Sequence, residues 1–135
     1  MDRNLNLLGI ARKAGLIAVG AESAGAAARS GKAHLIISAS DASAGTIRRA
    51  QINAEESGAV YAAVPYTKFE LGGITGRGSP GTVAFLDAGL AAGFMRGLEE
   101  MDPERYGITA KQLDKNADAL MKKKKPTPNK RRTAQ

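Results

Sequence analysis

Short apolar runs alternate with alanine-rich and polar stretches along the chain, and the alternation predicts strands and helices in turn. Asn4 can cap a first helix through Ala14, with Leu5, Leu8 and Ala11 on one face. Leu16–Val19, enclosed by Gly15 and Gly20, is too short for a helix and predicts a strand. Ala21–Ser30 is mostly alanine and predicts a helix stopped by Gly31. His34–Ser38 predicts a second, buried strand that ends in the polar loop Ala39-Ser40-Asp41. Ser43–Gly58 predicts a helix with a thin stripe of Ile47, Ala50 and Ala54, leaving Ile52 out of register and Arg48 and Arg49 in solvent. Ala59–Val64 predicts a third strand, closed by Pro65, which has no N–H for a ladder. Thr67-Lys68-Phe69-Glu70 is a capping box opening a short helix to about Gly73. Gly72–Gly81 reads as a glycine-rich loop leading into a fourth strand, Thr82–Leu86. Asp87 then caps a helix with Leu90, Phe94 and Leu98 on one face. Gly89, Gly93 and Gly97 lie on an adjoining line, each costing roughly 0.8–1 kcal/mol of helix propensity. Close approach of this helix to the sheet is the expected reason.

Beyond the break at Asp102-Pro103, Thr109 can cap an amphipathic helix carrying Leu113, Ala117, Leu120 and Met121. No core-forming residue follows Met121, so 122–135 is expected to be a disordered basic tail. The expected organisation is a domain over 1–101, a helical extension over 102–121 and that tail. Strands alternating with helices argue an α/β fold with helices on both faces of a four-stranded sheet.

Composition narrows the function. At 135 residues the chain can bury a core unaided, and without cysteine it has no disulfide framework. Residues 1–101 carry a net charge of +1 and residues 102–135 carry +6, so basicity belongs mainly to the tail. Such a tail either solubilises the protein or attracts a polyanion. The first residues lack a long apolar run and a small-residue cleavage site, and a cytoplasmic protein is expected. Little points to catalysis. His34 is the single histidine, no Cys/His cluster has metal spacing, and Glu55-Glu56 and Glu99-Glu100 sit at helix ends. Gly76, Gly78 and Gly81 match a dinucleotide-binding fingerprint literally, but that motif follows a strand and opens a helix, whereas this one follows a helix and opens a strand. No cofactor, metal or membrane partner is expected.

Several stretches resemble, in order, the small proteins that bind RNA kink-turns: the archaeal large-subunit "L-seven-Ae" proteins, the "L-thirty-e" proteins and their bacterial relatives. They are Leu7–Gly15, Gly20, Arg29–Ala33, Asp41-Ala42-Ser43, Val64-Pro65, Thr67–Gly72 and Thr82–Phe85. The resemblance spans roughly residues 4 to 98. It implies an α/β/α sandwich with a mixed sheet and a monomeric protein that recognises structured RNA.

In that family the turn after the first strand carries an Asn-Glu-like pair that reads the RNA, followed by a lysine one turn on. Aligned by Gly20 and Gly31, those positions are Glu22, Ser23 and Ala26, and all three depart from the pattern. A good bidentate base contact is worth about 1–3 kcal/mol by analogy with DNA readout, so altered or weakened specificity is expected. Arg29 shares a helical face with residues 22 and 26 and is expected to project beside Ala26 toward phosphate. The family's second contact surface maps to the loop from Arg77 and Gly78 to Thr82 and Val83. Arg12 and Lys13 either complement their helix dipole or approach RNA beside Gly20. Together with Asp41 these residues would form one contact face. Lys122, Lys123, Lys124, Lys125, Lys130, Arg131 and Arg132 would add a sequence-independent clamp. The expected function is non-catalytic RNA binding, ribosomal or rRNA-associated. The competing class is a protein-interaction or ribosome-assembly module, partnered by ribosomal proteins, that keeps the fold without specific RNA recognition. An enzyme acting on a phosphorylated small molecule at Gly72–Gly81 is the remote third.

Overall fold

The structure is a computed structural model that describes residues 2–124. Its elements in chain order are α1 (Arg3–Lys13), β1 (Ile17–Val19), α2 (Ala21–Arg29), β2 (Leu35–Ser38), α3 (Ala44–Ser57), β3 (Val60–Ala63), α4 (Lys68–Thr75), β4 (Thr82–Phe85), α5 (Ala88–Met101) and α6 (Pro103–Lys124). The four strands form one mixed sheet in the order β1-β4-β2-β3, with β4 antiparallel to both neighbours and β2 parallel to β3.

Alternate strand residues serve opposite faces, as the pleat requires. Val19, Leu35, Ile37, Val83 and Phe85 face the larger core, closed by α1, α4, α5 and α6. Ala18, Ile36, Tyr61 and Ala84 face the smaller one, closed by the alanine lines of α2 and α3. The molecule is therefore a three-layer α/β/α sandwich. Phe85 and Phe94 pack with ring centroids 4.9 Å apart at the centre of the larger core, each contributing roughly 1.5–3 kcal/mol by burial.

Several elements begin or pack differently from expectation. Asp2, not Asn4, caps α1: its Oδ1 accepts from the N–H of Asn4 at 2.7 Å and of Leu5 at 3.3 Å. Asn4 is instead buried, and its side chain lies flush against Gly97, where an added Cβ would overlap it. The glycine line of α5 thus admits α1, not the sheet. Gly72 to Thr75 complete α4 rather than starting the loop, which shortens the connection to 76–81. Thr109 caps nothing. Pro103 occupies the first helical position, where its missing N–H costs no hydrogen bond, and α6 runs unbroken through Lys124. Lys122 to Lys124 are therefore helical, not part of a disordered tail. The remainder of that tail lies outside the described residues.

The extension belongs to the core. Tyr106, Ala110 and Leu113 of α6 are buried in the larger cluster, and the Tyr106 hydroxyl donates to the Ala63 carbonyl at 2.8 Å. The Tyr66 hydroxyl donates to the Asp2 carboxylate at 3.0 Å, tying the cap of α1 to the segment before α4. Burial raises the pKa of both phenols, and for Tyr66 the bond to Asp2 adds to it.

Truncating Leu113 to alanine is expected to cost about 2–5 kcal/mol of unfolding free energy, because α6 closes the core. Raised folded-state pKa values mean that the tyrosines' contribution is fully present below pH ~10 and is lost above it, as the unfolded phenols ionise first. Denaturant titrations at stepped pH should show stability falling above about pH 10, with a shallower fall in Tyr66→Phe.

Candidate functional site

The sheet has one chemically distinctive end. β1, β2 and β3 all finish there, β4 begins there, and α2, α3 and α4 start from it. Helix N-termini present unpaired N–H groups and partial positive charge. Two of the three are capped internally. Ser43 accepts from Thr46 N–H at 3.1 Å on α3. On α4, Thr67 accepts from Glu70 N–H at 3.1 Å while Glu70 accepts from Thr67 N–H at 2.9 Å. Asp41 accepts from Lys68 N–H at 2.8 Å, so its carboxylate is engaged as a second cap of α4. α2 differs: Gly20 precedes it with φ +98° and supplies no side-chain cap. That backbone conformation is open to glycine and strained for other residues. The Gly20 N–H donates to the Thr82 carbonyl at 2.8 Å, locking the start of α2 to the start of β4.

A groove of about 600 Å³ runs from this end along the outer edge of β1. It is lined by Arg12 from α1, Ile17, Ala18 and Val19, Ser23 from α2, and Thr75, Gly76 and Arg77 from the end of α4. The Arg12 guanidinium lies over Gly76, with Nη2 2.7 Å from where a Cβ would stand. Among the described residues the one salt bridge joins Arg96 and Asp114, so neither Arg12 nor Arg77 is neutralised by a neighbouring acid. The loop carrying Arg77 is held by contact with α4: a Cβ on Gly72 would overlap the carbonyl oxygen of Gly78.

A second groove, of about 570 Å³, separates α2 from α3 and is lined by Ala21, Glu22, Gly25, Arg29, Arg49 and Asn53. Arg29 folds back over Gly25, with Nη1 3.2 Å from where a Cβ would stand, rather than projecting beside Ala26. Arg49, expected to be merely solvated, faces it across the groove. Nothing in the sequence states which face of α3 meets α2. Only the i, i+4 spacing of Arg49 and Asn53 hints that they share one.

The expected contact face is thus only partly assembled. Arg12, Ser23 and Arg77 meet in one groove, with Gly20 at its head, while Glu22 and Arg29 open onto the other. Lys13 is exposed but lines neither. Gly78 is exposed, with open space around its Cα. Thr82 and Val83 are buried, at 3% and 0% exposure, so their side chains cannot touch a macromolecule. The Thr82 hydroxyl has no partner among the described residues. Lys122 lies in the last turn of α6, just beyond Ala117, Leu120 and Met121, which line a pocket with His34 and Asp87 at the opposite end of the sheet from Gly20. Lys125, Lys130, Arg131 and Arg132 lie outside the described residues.

No protein-family model and no curated protein matches the sequence. The fold does recur among solved structures. One is a Bacillus halodurans protein of unknown function, 23% identical, which superposes with a TM-score of 0.67 over 73% of this chain and 99% of its own. That likeness establishes a shared fold. Among the described residues, no group of three or more His, Cys, Asp or Glu side chains is placed to hold a metal ion, and no helix is long and apolar enough to cross a membrane.

Replacing Gly72 by alanine should push the 77–78 backbone away and open the β1-edge groove. The expected cost is about 1–3 kcal/mol, in the range of core overpacking. Amide exchange at residues 76–81 should rise more than in the sheet. Unchanged exchange there would mean that the loop is not seated on α4.

Proposed function

We propose that this chain is a non-catalytic RNA-binding protein, associated with ribosomal RNA, that holds kink-turn-like RNA with weakened specificity. The observation that carries this reading is the β1-edge groove, which combines the unneutralised Arg12 and Arg77 with the uncapped start of α2. Two guanidiniums and a free helix N-terminus suit backbone phosphates. The exposed glycine backbone from Gly76 to Gly78 allows a sugar–phosphate chain to come close. The order of motifs from Leu7 to Phe85 that resembles the kink-turn binders supports the same reading. Arg12 and Arg77 would engage phosphates on either side of a bend, with Ser23 and the Gly20 turn toward the base edges.

The weakened specificity follows from Glu22 and Ala26. Both are exposed on α2, one a carboxylate that repels phosphate and the other bearing no charge. The same two residues favour the second reading, a ribosome-assembly or protein-interaction module that keeps the fold without reading RNA. The basic residues after Lys122 would strengthen RNA binding without regard to sequence. Lys122, in the last turn of α6, lies at the far end of the sheet from Gly20.

Gel-shift titrations with a kink-turn RNA and a straight duplex, at two salt concentrations, separate the readings. Preference for the bent RNA by tenfold or more is expected. The double variant Arg12→Ala/Arg77→Ala should lose affinity and flatten the salt dependence by about 0.7–0.9 in slope per phosphate contact removed. Equal weak binding to both RNAs, unchanged in the double variant, favours the second reading.

A further inference from the structure

The sheet has two outer edges, β1 and β3, and they are finished differently. Along β1 the bonds to β4 alternate. The Leu86 N–H donates to the Leu16 carbonyl and the Gly20 N–H donates to the Thr82 carbonyl, both at 2.8 Å. Ala18, midway between Leu16 and Gly20 and opposite Ala84, belongs to the same hydrogen-bonding set. Ile17 and Val19 stand in the intervening pairs, opposite Phe85 and Val83. Their N–H and C=O groups therefore turn away from β4 and toward the groove that both residues line. No loop, turn or cap among the described residues supplies them with a partner. On β3 the outward-facing Ala63 carbonyl instead accepts from the Tyr106 hydroxyl at 2.8 Å, so α6 closes that edge.

Bare donors and acceptors along a sheet edge are a template for another extended chain. The groove of about 600 Å³ beside Ile17 and Val19 leaves space for one. Charge selects what enters. Arg12 on α1 and Arg77 on the loop seated on α4 line this groove, and neither is in a salt bridge among the described residues. Both are carried by elements that cover the larger-core face of the sheet. α2 covers the opposite face and holds Glu22 in its first turn. Side chains of an added strand alternate between the two faces. Those toward α1 and α4 suit acids, and those toward α2 suit neutral residues. Two other occupants are disfavoured by charge. A second copy pairing β1 with β1 would bring two Arg12 and two Arg77 side chains to one seam. The chain's own residues 102–135 carry +6, the same sign as the arginines of the groove.

We propose that β1 accepts an extended acidic peptide as a further strand of the sheet, and that this peptide displaces RNA from Arg12 and Arg77. The strand pairing stands on the edge alone, whereas the displacement rests on the RNA-binding reading. Main-chain bonds from Ile17 and Val19 hold the peptide, and the two arginines select it. The probe is a synthetic peptide of alternating glutamate and threonine. Beside it stand the same peptide with lysine for glutamate and the same peptide with every backbone amide methylated. Amide exchange is followed on the full chain. Ile17 and Val19 should exchange freely in the free protein and slow by about tenfold or more at saturating peptide, while Ala18, already paired with Ala84, should not change. The lysine and methylated peptides should give no such protection. Arg12→Ala/Arg77→Ala should bind the glutamate peptide about tenfold more weakly, the worth of two exposed ion pairs. Val19→Pro removes an N–H that faces the groove and not the ladder, a place where an edge strand tolerates proline, and peptide protection at Ile17 should be lost. If that variant does not fold, the methylated peptide on wild type decides the same point. Equal binding of the methylated peptide, or binding without protection at Ile17 and Val19, would overturn the pairing. Protection of both amides in the free chain, rising with protein concentration alongside a dimer in sedimentation, would assign the edge to a second copy and overturn it too. At saturation the glutamate peptide should weaken kink-turn RNA binding by the same factor as Arg12→Ala/Arg77→Ala does. Unchanged RNA affinity ends the displacement and leaves the pairing standing. If no RNA binds, the RNA reading and the displacement fall together, while exchange at Ile17 and Val19 still decides the pairing.

Discussion

The structure depends on β4 lying between β1 and β2. The last strand in sequence is an inner strand in space, paired antiparallel to one neighbour formed at residues 17–19 and another at 35–38. All four of its residues are buried. Until it inserts, β1 has no partner and is cut off from the β2–β3 pair. Its insertion is also demanding of the connection before it, because α4 ends away from the point where β4 must begin. The short 76–81 segment makes that return, and it can do so only by lying against Gly72.

From that constraint the candidate site follows. Pairing Val19 with Val83 puts Gly20 next to Thr82, so the start of α2 and the end of the returning loop share one end of the sheet. The same pairing leaves β1 at the sheet's edge, where α1 and the turn at Gly76 border it with one arginine each. Arg12 and Arg77 thereby line one groove, and neither is in a salt bridge among the described residues. The uncapped N-terminus of α2 adds partial positive charge at the same place, opposed by the Glu22 carboxylate in its first turn, while the starts of α3 and α4 are capped by side chains. Charge in the folded body is nearly balanced, so its effect comes from placement and not from excess.

The elements were legible where local chemistry decides them. The Thr67–Glu70 capping box, the Asp87 cap and the stops at Gly31 and Gly58 each act within a turn of their own position. Failures came where a distant partner decides. Asp2 displaced Asn4 as a cap because Asp2 is also held by Tyr66, sixty-four residues away, and Asn4 is wanted against Gly97. Thr109 looked like a helix start because Pro103 suggested a break. The break is real, since α5 ends at Met101, but a proline at the first helical position starts α6 at once, and burial of Tyr106 in the larger core holds that first turn. The site was legible in outline through Gly20, Arg12 and Arg77. Arg29 and Arg49 were not, since their pairing depends on how two alanine-lined helices rotate against each other. Strands of three or four residues carry too little alternation to show which edge stays open, so the groove itself could not be seen in advance.

The central claim is that the β1 edge and the adjoining end of the sheet form one surface for a bent polynucleotide. Amide chemical shifts followed during titration with a kink-turn RNA test it residue by residue. The claim predicts perturbations concentrated at Ala18, Gly20, Ser23 and Gly76 to Gly78, with His34, Ala59 and the α5–α6 contact unmoved. Perturbations confined to the His34 end of the sheet, or to α6, would contradict it.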